Sequence, residues 1–514
     1  MARQKLLEET GSYSSQAMTR GQLSSMMSSV KWRDEVHEKE GGCDTIGPRP
    51  QDGRNVLEEE MEKWMNATDD VTGAELKPGL VRKARSEEMA FFKEMNAYTR
   101  CPRSRVTAEG GKLIDVRWID TNKGDSEDPN YRSRLVGRDF NTYKDDSLYA
   151  ATPPLEALRL IISHAATVRG GGQGHGKVGY RELMVNDVSR AYFYAPATRS
   201  LFIELPEEDV EAGEGEVGRL NVCLYGTRDA AREWQQTLSR HLEGLGFKRG
   251  VGHPAVFFHP MRGIMTLVHG DDYVSAAVSS ELDWLQAALE SQYKIKTQRT
   301  RPQEGKEQVE AKILNRIVRR TREGYEVEAD PRHAELIIEQ VVKEGSRTLS
   351  TPGIGQTKEE TEEVELEGEQ ATNYRAIAAR CNYLSQDRPD LQFAVKETCR
   401  EMPKPTMSAW SRLEIIGQYL KAKPRLIWRF SWQEASATSD VYADANWAGC
   451  RRTRKTPRGG CVMLGQHCIK TWSKTQSLIA KSSAESELYG IVKALCEALG
   501  TLTLMEELGK ELKA

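Results

Sequence analysis

Two adjacent carboxylates, Asp271 and Asp272, stand between the strand-like runs Ile264-Met265-Thr266-Leu267-Val268-His269 and Tyr273-Val274-Ser275-Ala276-Ala277. Nothing else in the chain constrains its fold as much. The two runs predict a hairpin with an acidic tip. Paired acids at such a tip are costly unless a positive group, commonly a divalent metal, sits beside them. A third acid, Asp187, closes another strand-like run, Glu182-Leu183-Met184-Val185-Asn186. One strand-terminal Asp and an Asp pair on a neighbouring hairpin suit a two-metal phosphoryl-transfer site.

The chain has 514 residues, 38% hydrophobic and 29% charged. That composition is globular, and the length allows roughly three or four domains. No run of ~18 apolar residues is present, so no membrane span is expected. The start, Met1-Ala2-Arg3-Gln4-Lys5, leads into polar sequence and does not read as a secretory signal. Nine scattered cysteines form no CxxC pair with a matching His pair. This argues against zinc and for a reducing, intracellular setting. The net charge of −3 argues weakly against nucleic-acid binding, but it conceals an asymmetry. Residues 358–369 are strongly acidic, whereas 451–481 carry Arg451, Arg452, Arg454, Lys455, Arg458, Lys470, Lys474 and Lys481. A local basic face grips phosphates whatever the chain total, although a solvated surface explains the same charges.

Residues 1–70 are expected to be disordered, being rich in Ser, Met, Glu and Gly. Helical spacing begins at Pro78 and recurs at 155–167, 229–245, 281–293 and 331–344. Strands are expected at 114–119 and 131–136. The run Gly170-Gly171-Gly172-Gln173-Gly174-His175-Gly176 reads as a flexible loop, since it lacks the pattern of a phosphate cradle. The acidic stretch near 355–369 reads as a linker. Helices near 370–384, 387–401 and 406–422 should follow, then strands at 440–443, 460–464 and 468–472 and a long helix over 483–508.

Several blocks resemble a known family. Asp187-Val188-Ser189-Arg190-Ala191-Tyr192-Phe193 resembles motif A of reverse transcriptases, and the Asp271-Asp272 hairpin resembles motif C. Tyr131-Arg132-Ser133-Arg134-Leu135-Val136-Gly137-Arg138, Leu148-Tyr149-Ala150-Ala151-Thr152-Pro153-Pro154, Leu201-Phe202-Ile203-Glu204-Leu205-Pro206 and Leu224-Tyr225-Gly226-Thr227-Arg228-Asp229 follow the order of copia-type retrotransposon polymerases. The resemblance implies an α+β fold with right-hand polymerase architecture over 71–345, in which fingers accompany an antiparallel palm sheet. It implies an RNA-directed DNA polymerase in which Asp187, Asp271 and Asp272 hold two Mg²⁺ ions, with Mn²⁺ as an alternative. Tyr192 would exclude a 2′-OH, the group that separates RNA from DNA building blocks. Arg134 and Arg138 would contact the triphosphate, because guanidinium pairs bidentately with phosphate oxygens. Asp229 stands in the nucleotide-binding block where that family has Gln, and an acid facing a triphosphate would repel it. His269-Gly270 also replaces the family's aromatic and small apolar pair.

Further on, Tyr374-Arg375 and Arg388-Pro389-Asp390-Leu391 resemble the family's helical connection, expected with the acidic linker over 346–436. Asp440-Val441-Tyr442-Ala443-Asp444 and Ser482-Ser483-Ala484-Glu485-Ser486-Glu487 resemble the N-terminal part of a ribonuclease H-like α/β domain, expected over 437–514. Asp444 and Glu487 would be its metal-binding acids; Glu485 faces elsewhere on the helix. Without a third acid, that nuclease is expected to be truncated and inactive. The partners implied are an RNA template, a DNA primer or RNA–DNA hybrid, deoxynucleoside triphosphates and other parts of the element polyprotein, with no membrane. The location implied is cytoplasmic, in a virus-like particle, or nuclear. The rival expectation is a decayed retroelement-derived protein that binds nucleic acid without turnover.

Overall fold

The computed structural model describes residues 67–510 apart from 126, 141–147, 169–180, 302–307, 354–363 and 451. Residues 1–66 of the expected disordered segment, the glycine loop at 170–176 and the 354–363 part of the acidic stretch lie outside the described residues. The described chain divides into two compact units, 67–151 with 190–242 and 152–189 with 243–510. Both are α+β, with mostly antiparallel sheets.

The smaller unit begins with the helix Pro78–Glu94, which has Pro in its first turn. A missing N–H matters least there. Its buried face carries Val81, Ala84, Met89, Phe91 and Phe92, and Phe91 and Phe92 meet Phe193 edge-on with ring centroids 5.5 and 4.9 Å apart. A four-stranded sheet joins Tyr98–Pro102, Glu216–Leu220, Leu201–Ile203 and Lys112–Ile114 in that spatial order. A separate hairpin pairs Val116–Asn122 with Tyr131–Gly137. The helix Ala230–Gly244 buries Trp234, Leu238 and Leu242.

The larger unit is built on a six-stranded antiparallel central sheet. Its spatial order is Ile295–Arg299, Arg181–Val188, Asp272–Val278, Ile264–His269, Val256–His259 and Lys248–Arg249. Leu183, Val185, Met265, Leu267, Val274 and Ala276 lie in one hydrophobic core with the helix Leu155–Ala165. A second sheet, Val309–Ile313, Arg316–Arg320, Gly324–Ala329 and Trp428–Ser431, follows the same antiparallel pattern. The helices Arg332–Val341, Gly368–Ser385, Gln392–Cys399 and Met407–Ala422 share their own core around Tyr374, Cys381 and Leu413. Arg388, just 2% exposed, gives the Arg388-Pro389-Asp390 motif a structural role. Its guanidinium donates to Asp390 and to the Lys423 and Pro424 carbonyls at 2.9 and 3.1 Å. That satisfies the C-cap carbonyl of Met407–Ala422 and the carbonyl just beyond it.

The C-terminal layer consists of Asp440–Ala445, Pro457–Leu464 and His467–Thr475 in one antiparallel sheet, with the helix Ser483–Glu507 against it. Ser482 caps that helix, its hydroxyl accepting from the Glu485 N–H at 3.1 Å. By length and composition this helix is long and apolar enough to cross a membrane, a pattern the sequence reading did not flag. Within the protein its Ala494, Leu504 and Met505 are buried. On the same helix Glu497 lies 2.8 Å from Lys470 and 2.5 Å from Lys493. Burial would raise the Glu497 pKa, but the two lysines outweigh it and hold it down at about 2. An unfolded Glu titrates near pH ~4.3. The carboxylate therefore stabilises the fold fully above that pH, and the contribution disappears as pH falls toward 2. Glu497→Gln should be less stable than wild type by roughly 2 kcal/mol at neutral pH, allowing for solvent screening. In thermal unfolding the gap should close as the pH falls from about 4.3 to about 2, the window between the two pKa values.

Candidate active site

Strand alternation carries the three acids to one end of the central sheet. On Arg181–Val188, Leu183 and Val185 point into the core, and Asp187 is the next residue on that face. On Asp272–Val278, Ala276 and Val274 are core residues and Asp272 continues their row. The register sets Asp272 directly opposite Asp187, so both carboxylates stand on one face with Cβ atoms about 5 Å apart. Asp271 lies in the turn, and its carbonyl accepts from the Val188 N–H at 3.0 Å. The hairpin tip is thereby tied to the end of the Asp187 strand. All three acids are half-buried. The side chains of Asp187 and Asp271 make no hydrogen bond or ion pair among the described residues.

The register is held from within the sheet. Thr266 and Ser275, both fully buried, share a hydrogen bond of 2.9 Å across the hairpin. Asn186 donates to Thr297 at 2.8 Å, and Thr300 accepts from the Leu183 N–H at 2.9 Å. A one-residue slip would break all three and turn the acids to the other face. Gly270 suits the tip. Its φ of +66° lies in the left-handed region that L side chains rarely adopt, and nothing lies within 4 Å of where its Cβ would be. The Gly270 half of that departure therefore fits this turn.

Sequence reasoning missed Lys296, which pairs with Asp187 across its other side. Asp187 thus stands between an acid and an exposed lysine. The alternation Lys294-Ile295-Lys296 was the signal available. Among the described residues no three His, Cys, Asp or Glu side chains close into a ready metal cage. The donor set still fits Mg²⁺, which takes one or two carboxylates and completes its shell with substrate phosphates and water.

The smaller unit holds the other predicted residues. Tyr192 follows Arg190, whose φ is +54°, on the short 3₁₀ helix Ala191–Tyr194. Its ring lies 4.5 Å from that of Tyr225, and the Arg134 guanidinium lies 4.8 Å from the Tyr225 centroid. Burial, then the charges of Arg134 and Arg190, hold the Arg132 guanidinium below its usual pKa. Arg132 thus lies within charge range of Arg134 and of Arg190, which is itself paired with the buried Glu88 at 2.7 Å, beside the stacked aromatics. Arg132, Arg190 and Tyr225 were not singled out from sequence. Arg138 is exposed, pairs with Asp115 at 2.9 Å and lies over Phe140. Asp229 turns inward. It is 2% exposed, and Arg199 grips it with Nε at 2.9 Å and Nη2 at 2.6 Å. Its charge is neutralised within the unit, which removes the physical basis for the expected repulsion.

In the C-terminal layer Asp444 is exposed near the end of its strand and Glu487 lies on the second turn of Ser483–Glu507. A Cβ on Gly490 would meet Ala445 Cβ at 3.6 Å and Glu487 Oε2 at 3.9 Å, so both acids flank one helix–strand crossing. Glu485 is engaged elsewhere, accepting from the Lys481 N–H and the Tyr489 hydroxyl at 2.7 and 2.9 Å.

Residues 106–300 match the family described as reverse transcriptase (RNA-dependent DNA polymerase). The chain is 26% identical over 413 residues to the retrovirus-related Pol polyprotein from transposon RE2 of Arabidopsis thaliana, a match covering 78% of this chain and 26% of that protein. It is 23% identical to the polyprotein from transposon TNT 1-94 of Nicotiana tabacum, over 83% of this chain and 32% of that protein. The chain thus spans between a quarter and a third of these relatives. Among solved structures, a foamy viral protease-reverse transcriptase in complex with double-stranded DNA aligns over 90% of this chain and 76% of its own, with a TM-score of 0.43 and 12% identity.

Proposed function

From a chain that carries a reverse transcriptase match and shares most of its length with copia-type Pol polyproteins, we propose an RNA-directed DNA polymerase acting at Asp187, Asp271 and Asp272. The observation that carries this reading is the direct cross-strand pairing of Asp187 with Asp272, with Asp271 bonded through its backbone to the residue after Asp187. The three carboxylates would supply oxygen ligands for two Mg²⁺ ions. When bound there, the ions would lower the pKa of the attacking primer 3′-OH and offset charge on the pyrophosphate leaving group.

The remaining chemistry belongs to the chain itself. Lys296, in register with Asp187, brings a positive charge and a proton donor to the acidic end of the sheet. Arg132 and Arg134 beside Tyr225 suit a triphosphate, and the Tyr192–Tyr225 stack suits a sugar or base face. Tyr192 in this role favours deoxynucleotides. The template is RNA and the primer strand DNA. Asp444 and Glu487 are assigned no nuclease step, since no third carboxylate joins them among the described residues. The alternative, nucleic-acid binding without turnover, draws less support from Asp229 once that acid is paired with Arg199.

Purified protein should extend a DNA primer on an RNA template in Mg²⁺, and Asp271→Asn should abolish extension. Equal extension by both proteins would remove the assignment. Salt-sensitive RNA–DNA binding without extension would select the alternative.

A further inference from the structure

The helix Leu155–Ala165 is buried from Ala157 to Ala165 without a break. A helix buried over that whole run, Arg159, Ser163 and His164 included, is covered on all sides. The core that joins it to Leu183, Val185, Val274 and Ala276 of the central sheet also takes in Leu464, Ile469, Leu504, Met505 and Leu508 of the C-terminal layer. Polar contacts fix the second junction. Lys470 Nζ lies 2.5 Å from Glu156 and 2.8 Å from Glu497. Ser163 and His467, both fully buried, hydrogen-bond at 2.8 Å, and Arg159 donates to the Ile469 carbonyl at 3.3 Å. A separate tie reaches the central sheet, where Glu507 accepts from the Gly252 N–H at 2.5 Å and contacts His253 Nδ1 at 2.9 Å.

We propose that the C-terminal layer positions the polymerase acids: it seats the helix Leu155–Ala165, and that helix sets the sheet face on which Asp187 and Asp272 stand. The inference rests on the reading of those acids as the polymerase site. Val185 and Val274 touch the helix core and lie two residues from Asp187 and Asp272 along the same face, so a shift of the helix reaches both acids through packed side chains. Interiors are close-packed and transmit such strain. Lys470 is the positioning residue to test, because among the described residues it alone bridges an acid on the helix and an acid in the layer. Without it, Glu156, 17% exposed, loses its ion pair, while Glu497 keeps Lys493 at 2.5 Å and is no longer tied to the helix.

The experiment uses the full chain as wild type, Lys470→Met, Lys470→Arg and the milder Glu156→Gln. In single-nucleotide addition on a primed RNA template, Lys470→Met should lower kcat about tenfold with the primer–template KM within about twofold. Lys470→Arg should restore most of the rate, and Glu156→Gln should show a smaller loss of the same kind. In amide hydrogen exchange, Lys470→Met should speed exchange in 181–188 and 272–278 as well as in 467–475. An unchanged kcat in the folded variant, or faster exchange confined to 440–508, overturns the proposal. If wild type extends no primer, the polymerase reading fails, and the exchange pattern alone decides whether the layer holds the central sheet.

Discussion

Asp187→Asn should lower primer extension by at least about 10³-fold, the several kcal/mol expected when a ligand to catalytic metal is lost, while the unfolding midpoint moves by no more than about 2 °C. The two halves of this result have separate causes. Asp187 faces Asp272 on one side and Lys296 on the other. Like charges directly opposed across a sheet destabilise by about 0.2–1 kcal/mol, and opposite charges stabilise by a similar amount. Removing the Asp187 charge relieves the first and forfeits the second, so the stability terms nearly cancel. Asn also keeps the volume and shape of Asp, so packing around Val185 is undisturbed. Activity has no such compensation. Steady-state extension together with calorimetry of the same preparation checks both halves. A midpoint lowered by 10 °C would mean that Asp187 is a structural acid and that lost extension reports unfolding.

The acids were readable because each closes a run of alternating or continuous apolar residues. What could not be read was their partnership. Asp187 and Asp272 are far apart in the chain, and which residues oppose each other depends on buried groups such as Thr266, Ser275, Asn186 and Thr297, whose polarity gives no warning of where they lie. Lys296 escaped notice for the same reason. The helices from 368 to 422 were legible within a few residues, being long and periodic. The strands Val309–Ile313, Arg316–Arg320 and Gly324–Ala329 were not, because Glu310, Lys312, Arg319 and Glu326 interrupt their apolar residues and find partners only in the fold, Arg319 with Glu310, Lys312 with Asp330 and Glu326 with Arg429. Residues 437–514 read as a module of their own because their blocks resemble one. The shared core with Leu155–Ala165 depends on contacts some 300 residues apart in sequence, which no local pattern encodes.

Arg199→Met should destabilise the smaller unit by about 3–5 kcal/mol, the range for stripping the partner from a buried ion pair. Arg199 serves two buried acids at once. It holds Asp229 through two nitrogens and reaches Asp139 at 2.7 Å. Asp139, 5% exposed, also takes Lys112 at 2.6 Å and the Arg228 N–H at 3.2 Å. Burial alone would raise the Asp139 pKa, but Lys112 and Arg199 together carry it below the usual carboxylate range. Asp139 therefore keeps partners when Arg199 is lost, whereas Asp229 is left with a bare buried charge. This asymmetry makes the prediction specific. Asp229→Asn should cost only about 1–2 kcal/mol, since a neutral amide still accepts from Arg199. Arg199→Met combined with Asp229→Leu should recover much of the single-variant loss, a coupling that chemical denaturation can measure as a double-mutant cycle. Additive losses would show that the pair does not interact as the geometry requires. Asp229→Gln, which restores the residue of the copia-type pattern, should likewise destabilise and bring no gain in nucleotide affinity. Its carboxylate is held by Arg199 inside the unit, so removing it breaks an ion pair instead of relieving a repulsion.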